Sequence, residues 1–345
     1  MKDVCVSAQG VTHRGNVREE NQDQYLIAEL APSAKVLGNS VGLNNHSRLF
    51  SPPTSYLFVV ADGMGGHLGG REASTRAIQF FLSAILHSPS FRLQPSPKEP
   101  LAFTDILRTM LVGAHRELVR FALSDPDLKG MGTTLTAAYI VWPTMFVVHA
   151  GDTRCYLKRD EELILLTRDH TVAQQMIRAG RMDAAAQERS PWSNVLVNAL
   201  GAGAEEVFAD ITTVDLQFGD RLLMCSDGIN KHATDEQIKQ MLIASSPLED
   251  CANRLVEFAL SDGGTDNITV LLSDFASTDS NEVRVLGGIP SGEKVVIEFP
   301  EPYTDSDTND ADTAADEKKT ATFELDTPSE DEKSTGDFLN ESVPH

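Results

Sequence analysis

Apolar residues recur along this chain in two rhythms that alternate from one end to the other. The first is short and dense. Val4-Cys5-Val6-Ser7-Ala8 and 23–28 read as strands, and Tyr56-Leu57-Phe58-Val59-Val60-Ala61 reads as a strand buried on both faces, because no polar position interrupts it. The second rhythm repeats at three and four residues. Ala73, Ala77, Phe80, Phe81 and Ile85 give one apolar stripe to a helix over 71–87. Phe103, Ile106, Leu107, Met110, Ala114, Leu118 and Phe121 do the same for a second long helix.

Strand rhythm then returns at 135–141, 145–149, 154–158 and 162–166, and again at 211–216 and 221–225. Residues 169–180 read as helical and 190–203 as irregular. Thr234-Asp235-Glu236-Gln237 is a capping box opening a helix through Leu242. Ser246-Pro247-Leu248-Glu249 opens another, with Pro at the first helical position, and 268–272 is the last strand of the folded region.

Two stretches lack either rhythm. Residues 32–55, rich in Pro, Ser and Asn, read as a mobile surface loop. After Phe275 the composition shifts: 276–302 reads as a hairpin extension (283–286 with 294–299) or a linker, and 303–345 as an acidic disordered tail too polar to offset its ordering entropy. The chain is therefore expected to hold one domain, 1–275, and two appendages.

Composition sharpens this division. Of the net charge of −22 over 345 residues, 276–345 contribute −13, with 18 acids against 5 bases. Such acidity argues against phosphate-backbone binding and against adsorption to anionic membranes, so neither a nucleic acid nor a membrane is an expected partner. No window approaches a membrane span and Met1–Cys5 does not open an apolar leader, which points to a cytoplasmic location. Cys5, Cys155, Cys225 and Cys251 are widely spaced without a Cys-x-x-Cys pair, so they read as reduced core thiols.

Candidate chemistry gathers at three turns. Asp62-Gly63 ends the third strand, Ser226-Asp227-Gly228 follows the strand at 221–225, and Thr265-Asp266-Asn267 precedes the last one. Asp-Gly alone is a common turn dipeptide. Its repetition beside apolar strands instead suggests carboxylates fixed in direction and able to converge as hard oxygen ligands, which suits Mg²⁺ or Mn²⁺ and not zinc or copper. A dinucleotide fingerprint fails because Leu68 stands where the last glycine is needed; a P-loop fails at Gly70-Arg71-Glu72; and the nine histidines contain no His-x-x-x-His pair for a zinc hydrolase.

Arg18-x-x-Asn21-Gln22-Asp23, Asp62-Gly63-Met64-Gly65-Gly66-His67, Gly132-Thr133-Thr134, Gly151-Asp152-Thr153-Arg154, Ser226-Asp227-Gly228 and Gly264-Thr265-Asp266-Asn267-Ile268-Thr269-Val270 follow one another in an order that resembles the metal-dependent protein serine/threonine phosphatases of type 2C. Met64, directly after Asp62-Gly63, makes the chain look like the bacterial branch. The resemblance covers about 3–275. It implies an α+β fold, a four-layer α-β-β-α sandwich of two mainly antiparallel sheets flanked by helix pairs. It also implies two Mn²⁺ or Mg²⁺ ions, with room for a third.

Carried over motif by motif, Asp62 would bridge both ions, the Gly63 carbonyl would ligate one, and Asp227 and Asp266 would hold the other side. Asp23 would support the cluster, Asp152 would help hold the third ion, and Arg18 would grip the substrate phosphate. The implied reaction is hydrolysis of phosphoserine and phosphothreonine in proteins by water activated between the ions, reversing a Ser/Thr kinase, by a monomeric enzyme needing no catalytic thiol. The alternative is a catalytically silent, phosphate-sensing scaffold of the same fold.

The chain departs from the family pattern at three positions. Gln22 stands where Glu is common, Met64 where some members place a proton-donating His, and Thr153 where Ser is commoner. His67 is read as structural or solvent-facing. The segment 168–203 falls where the family has a flap, and Arg178, Arg181, Arg189 and Trp192 are its candidates for substrate recognition. In the tail, Thr322, Thr327 and Ser329 lie among acids and are candidate phosphorylated docking sites.

Overall fold

The computed structural model describes residues 4–31, 33–35, 48–50, 55–65, 69–88, 100–183, 186, 190–244 and 247–277. The expected hairpin at 283–299, the acidic tail with Thr322, Thr327 and Ser329, most of the loop 32–55, and His67 and Arg189 lie outside the described residues.

In chain order the strands are β1 Val4–His13, β2 Gln24–Leu30, β3 Ser33–Lys35, β4 Arg48–Phe50, β5 Ser55–Ala61, β6 Gly63–Met64, β7 Gly132–Thr133, β8 Leu135–Val141, β9 Thr144–Ala150, β10 Arg154–Arg159, β11 Glu162–Leu165, β12 Leu200–Gly201, β13 Asp210–Asp215, β14 Arg221–Cys225 and β15 Ile268–Ser277. The helices are α1 Gly69–His87, α2 Pro100–Ser124, α3 Val172–Arg178, α4 Asp227–Asn230, α5 Asp235–Ala244 and α6 Leu248–Ser261. One five-stranded sheet has the order β1-β15-β14-β10-β11 and the other β13-β9-β8-β5-β2, each antiparallel throughout.

The period-two alternation of strand side chains explains why the central strands are apolar at every position. In β5, Phe58 and Val60 face the second sheet, while Leu57, Val59 and Ala61 face the helices. In β15, Leu271 and Phe275 point between the sheets, and Ile268, Val270 and Leu272 point the other way. Three cores result. One joins the two sheets, one packs α1 and α2 on the β8–β9–β5 face, and one packs α5 and α6 on the β14–β15 face. Four layers stacked in this way are the expected α+β sandwich. Phe58 and Phe81 are essentially inaccessible, and full burial of such a side chain is worth roughly 2–3 kcal/mol.

Several boundaries differ from the sequence-based expectation. The helix expected over 169–180 is shorter, Val172–Arg178. Asp169 is drawn out of it by Arg154, whose Nε and Nη2 donate at 2.9 and 2.7 Å, and His170 is tied to Gly151, so the helix starts only at the N-cap Thr171. Pro247 is the N-cap of α6 and not its first helical residue. Within the expected loop 32–55, β3 and β4 pair with each other. The capping box forms as read, with Thr234 and Gln237 exchanging hydrogen bonds of 2.9 and 3.3 Å. No helix among the described residues is long and apolar enough to cross a membrane.

Candidate metal centre

Strand register carries the acidic turns to one end of the sandwich. Gln24 of β2 pairs with Ala61 of β5, which sets Asp23 beside Asp62. In the other sheet Cys225 of β14 pairs with both Val270 of β15 and Arg154 of β10, which sets Asp227, Asp266 and Asp152 at a common edge. The turn containing Asp152 also joins β9 of one sheet to β10 of the other, so it belongs to both. Asp62, Gly63, Asp152, Asp227 and Asp266 all line one cleft of about 1010 Å³, together with Arg18, Gln22, Met64 and Lys231.

Crowding and burial raise most of these acids. Burial pushes Asp62 well above the usual carboxylate range, and Asp23, Asp227, Asp152 and Asp266 add to it by repulsion. Asp62 keeps some exposure, but only to the cleft. Asp152 rises for the same two reasons, burial first and Asp227 next. Asp227 rises through burial, opposed by Lys231. Asp23 lies beneath the cleft floor. Burial lifts it to about 6 although its Oδ2 accepts from Ser226 Oγ at 2.7 Å and Thr269 Oγ1 at 2.8 Å. Asp266 is the exception, because hydrogen bonds from Arg18 and Lys231 outweigh its burial and hold it below the usual range.

Two cations serve these acids. Arg18 forms a fork on Asp266, with Nε to Oδ1 at 2.7 Å and Nη2 to Oδ2 at 2.8 Å, while its own side chain is 56% exposed at the cleft mouth. Lys231 Nζ reaches Asp227 Oδ2 at 2.5 Å and Asp266 Oδ2 at 2.7 Å.

Backbone and hydroxyl contacts fix the turns. The Asp62 carbonyl accepts from Thr134 N at 2.9 Å and Thr133 Oγ1 at 2.8 Å, and Asp62 N donates to Thr134 Oγ1. Thr134 Oγ1 meets Thr153 Oγ1 at 2.6 Å, which links the Asp62 turn to the Asp152 turn. Asn267 clamps the loop bearing Arg18: its Oδ1 accepts from Gln22 N at 2.8 Å, and its Nδ2 donates to the carbonyls of Arg14 at 2.9 Å and Glu20 at 2.8 Å. Gly63 and Gly228 sit where a Cβ would run into the Gly70 and Asn267 carbonyls.

The sequence reading did not single out Lys231, Ser226, Thr269, Thr134 or Asn267 in these roles. Only Lys231 carried a local signal, its i,i+4 spacing from Asp227.

Asn194–Asn198 line the cleft, whereas Arg178, Arg181 and Trp192 are exposed and are not among its lining residues. The four cysteines are free, as expected. Burial pushes the Cys155 thiol far up and that of Cys225 to about 12, the opposite of what a nucleophile needs.

The donor set fits hard divalent cations. Every candidate donor is an oxygen, the acids repel one another, and the buried Asp23 Oδ1 and Asp227 Oδ1 have no hydrogen-bond partner. Among the described residues no three His, Cys, Asp or Glu side chains close around a common point. Arg18 and Lys231 take up the oxygens of Asp266 and one oxygen of Asp227 instead.

Known proteins resemble this chain in sequence and in fold. The family model described as protein phosphatase 2C matches residues 47–272. The serine/threonine protein phosphatase PstP of Mycobacterium tuberculosis is 33% identical over 261 residues, 75% of this chain and 48% of that protein, so the chain spans about half the length of this relative. The serine/threonine phosphatase stp of Listeria monocytogenes is 31% identical over 264 residues, 76% of this chain and 92% of that protein. The crystal structure of the M. tuberculosis phosphatase PstP/Ppp superposes with a TM-score of 0.63 at 30% identity, covering 79% of this chain and 99% of the other. A structure of the PstP catalytic domain in complex with two manganese ions gives 0.61 at 29% identity, covering 80% and 100%.

Proposed function

The chain belongs to the protein phosphatase 2C family, and on that premise we propose that it hydrolyses phosphoserine and phosphothreonine in proteins at a centre of two Mn²⁺ or Mg²⁺ ions, opposing a Ser/Thr kinase. The observation that carries this reading is the meeting of Asp62, Asp152, Asp227 and Asp266, from turns of both sheets, in one cleft with Arg18 at its mouth. When bound, the ions supply charge neutralisation at phosphorus and acidify an attacking water.

The chain's own residues would do the rest. Asp62 would be the carboxylate shared by the ions, with the Gly63 carbonyl as a further donor. Asp227 and Asp266 would hold the other side of the pair, and Asp152 would help hold a third ion. Asp23 stays under the floor, its Oδ2 fixed by Ser226 and Thr269 and its Oδ1 left available. Arg18, whose planar fork already accommodates a carboxylate, suits two phosphate oxygens equally well. Burial raises the thiols of Cys155 and Cys225, which disfavours either as a nucleophile, and the metal-activated water makes a phosphorylated enzyme unnecessary. The reading places the protein in the cytoplasm as a monomer. Gln22, which lines the cleft where Glu is common, leans towards a silent scaffold, whereas Asp62, Asp152, Asp227 and Asp266 all line the same cleft and favour the enzyme.

The test uses the full chain on a phosphothreonine peptide. Turnover should require Mn²⁺ or Mg²⁺, stop with chelator, and vanish in Asp227→Asn. Full rate in chelator or in that variant overturns the metal mechanism.

A further inference from the structure

Lys231 occupies a position that the reaction outlined above does not use. Its ammonium is shared between Asp227, which follows β14, and Asp266, which precedes β15, at 2.5 and 2.7 Å. The three side chains are only 23%, 17% and 16% exposed, so solvent screens the pairs little. Arg18, by contrast, touches Asp266 alone from the exposed rim.

The backbone of Lys231 is held independently of its side chain. It caps α4, its N–H donating to the Asp227 carbonyl at 2.9 Å. The four-carbon stem can therefore swing the charge away without unwinding the turn. Asp227 gives Lys231 only Oδ2, while its buried Oδ1 has no partner. One carboxylate thus presents an oxygen already neutralised and another that is not.

We propose that Lys231 is a built-in competitor for the divalent ions. Its ammonium holds the gap between Asp227 and Asp266 and must be displaced before a cation can draw on both carboxylates, so this one residue sets how tightly the centre takes metal. The proposal rests on the metal-centre reading above. A single positive charge here keeps the two acids together, and a divalent ion replaces it only when its concentration is sufficient. Lys231 therefore raises the metal concentration at which the centre fills.

The experiment titrates MnCl₂ into chelator-dialysed full chain by isothermal calorimetry, comparing wild type with Lys231→Met, Lys231→Gln and Lys231→Arg, and records melting temperature with EDTA and with Mn²⁺. Both neutral variants should bind Mn²⁺ tighter by about tenfold or more. Lys231→Arg, which keeps the charge, should stay near wild type. The neutral variants should melt lower in EDTA, where the acids face each other unscreened, and recover with Mn²⁺. A merely structural lysine would lower melting equally in both conditions. If Lys231→Met does not fold, Lys231→Gln carries the comparison. Wild type that binds Mn²⁺, with neutral variants of equal or weaker affinity, overturns this proposal alone. Wild type that binds no Mn²⁺ overturns the metal centre and this proposal with it.

Discussion

The hydroxyl of Ser226 donates to one oxygen of Asp23 at 2.7 Å and accepts from the backbone N–H of Thr269 at 3.0 Å, tying an acid at the head of β2 to a strand of the opposite sheet. The contact joins residues 203 positions apart and leaves Asp23 Oδ1 without a partner. The second shared donor, Thr269 Oγ1, fixes the carboxylate plane. Asp23 is thereby oriented from below, and the acids above it inherit a rigid floor.

Ser226→Ala should cost roughly 1.5–3 kcal/mol, the range for a hydrogen bond to a charged, buried group. Urea denaturation in the presence of EDTA measures it. A loss below about 0.5 kcal/mol would mean that Thr269 alone orients Asp23.

Asn267 holds three backbone groups of the segment from Arg14 to Gln22. Asn267→Ala strips these partners at once and should cost roughly 2–3 kcal/mol. Because the loop and not the core is released, limited proteolysis should cut within 14–22 well before global unfolding. Unchanged protease resistance of that segment would contradict the clamp.

Arg18→Ala should leave stability within about 1 kcal/mol, because the guanidinium is 56% exposed and Lys231 still pairs with Asp266. It should lower kcat/KM by roughly tenfold or more, mostly through KM, if the fork binds phosphate. Arg18→Lys should recover only part of this, since a point charge cannot replace the fork. Equal kinetics in all three proteins would reduce Arg18 to a partner of Asp266.

His149 gives a pH signature separate from the acids. Its Nε2 donates to the Arg168 carbonyl at 3.0 Å, its Nδ1 meets Thr136 Oγ1 at 2.8 Å, and its burial favours the neutral ring. Burial, and then the neighbouring His170, lower its pKa from 6.5 to about 4. A histidine depressed in this way contributes stability above its unfolded pKa, and the contribution fades as pH falls from about 6.5 towards 4. Over that window it amounts to roughly 3 kcal/mol. Thermal melts of His149→Gln should show a flatter acid limb than wild type, and parallel limbs would refute the assignment.

The acids of the site were legible because each borders an apolar run: Asp62 ends one, Asp227 follows the strand 221–225 and Asp266 precedes the last strand. The fold class came with the family resemblance, and the strands apolar on both faces agree with it because they need cover on both. The supporting groups were not. Ser226 and Thr269 act on Asp23 across the chain, and nothing within a few residues of any of them betrays the pairing. The shortening of the helix before Arg178 was equally hidden, because Asp169 and His170 are claimed by Arg154 and Gly151 of a distant turn. In the segment 168–203, it is Asn194–Asn198 that line the cleft, while Arg178 and Arg181 stand outside its lining.

The decisive measurement is anomalous diffraction at the manganese edge from crystals of the full chain soaked in Mn²⁺. Two peaks in the cleft, with Asp62 ligating both and Asp227 and Asp266 on the far side, are the predicted result. Manganese absent from the cleft, or Asp62, Asp227 and Asp266 sharing no ion, would contradict it.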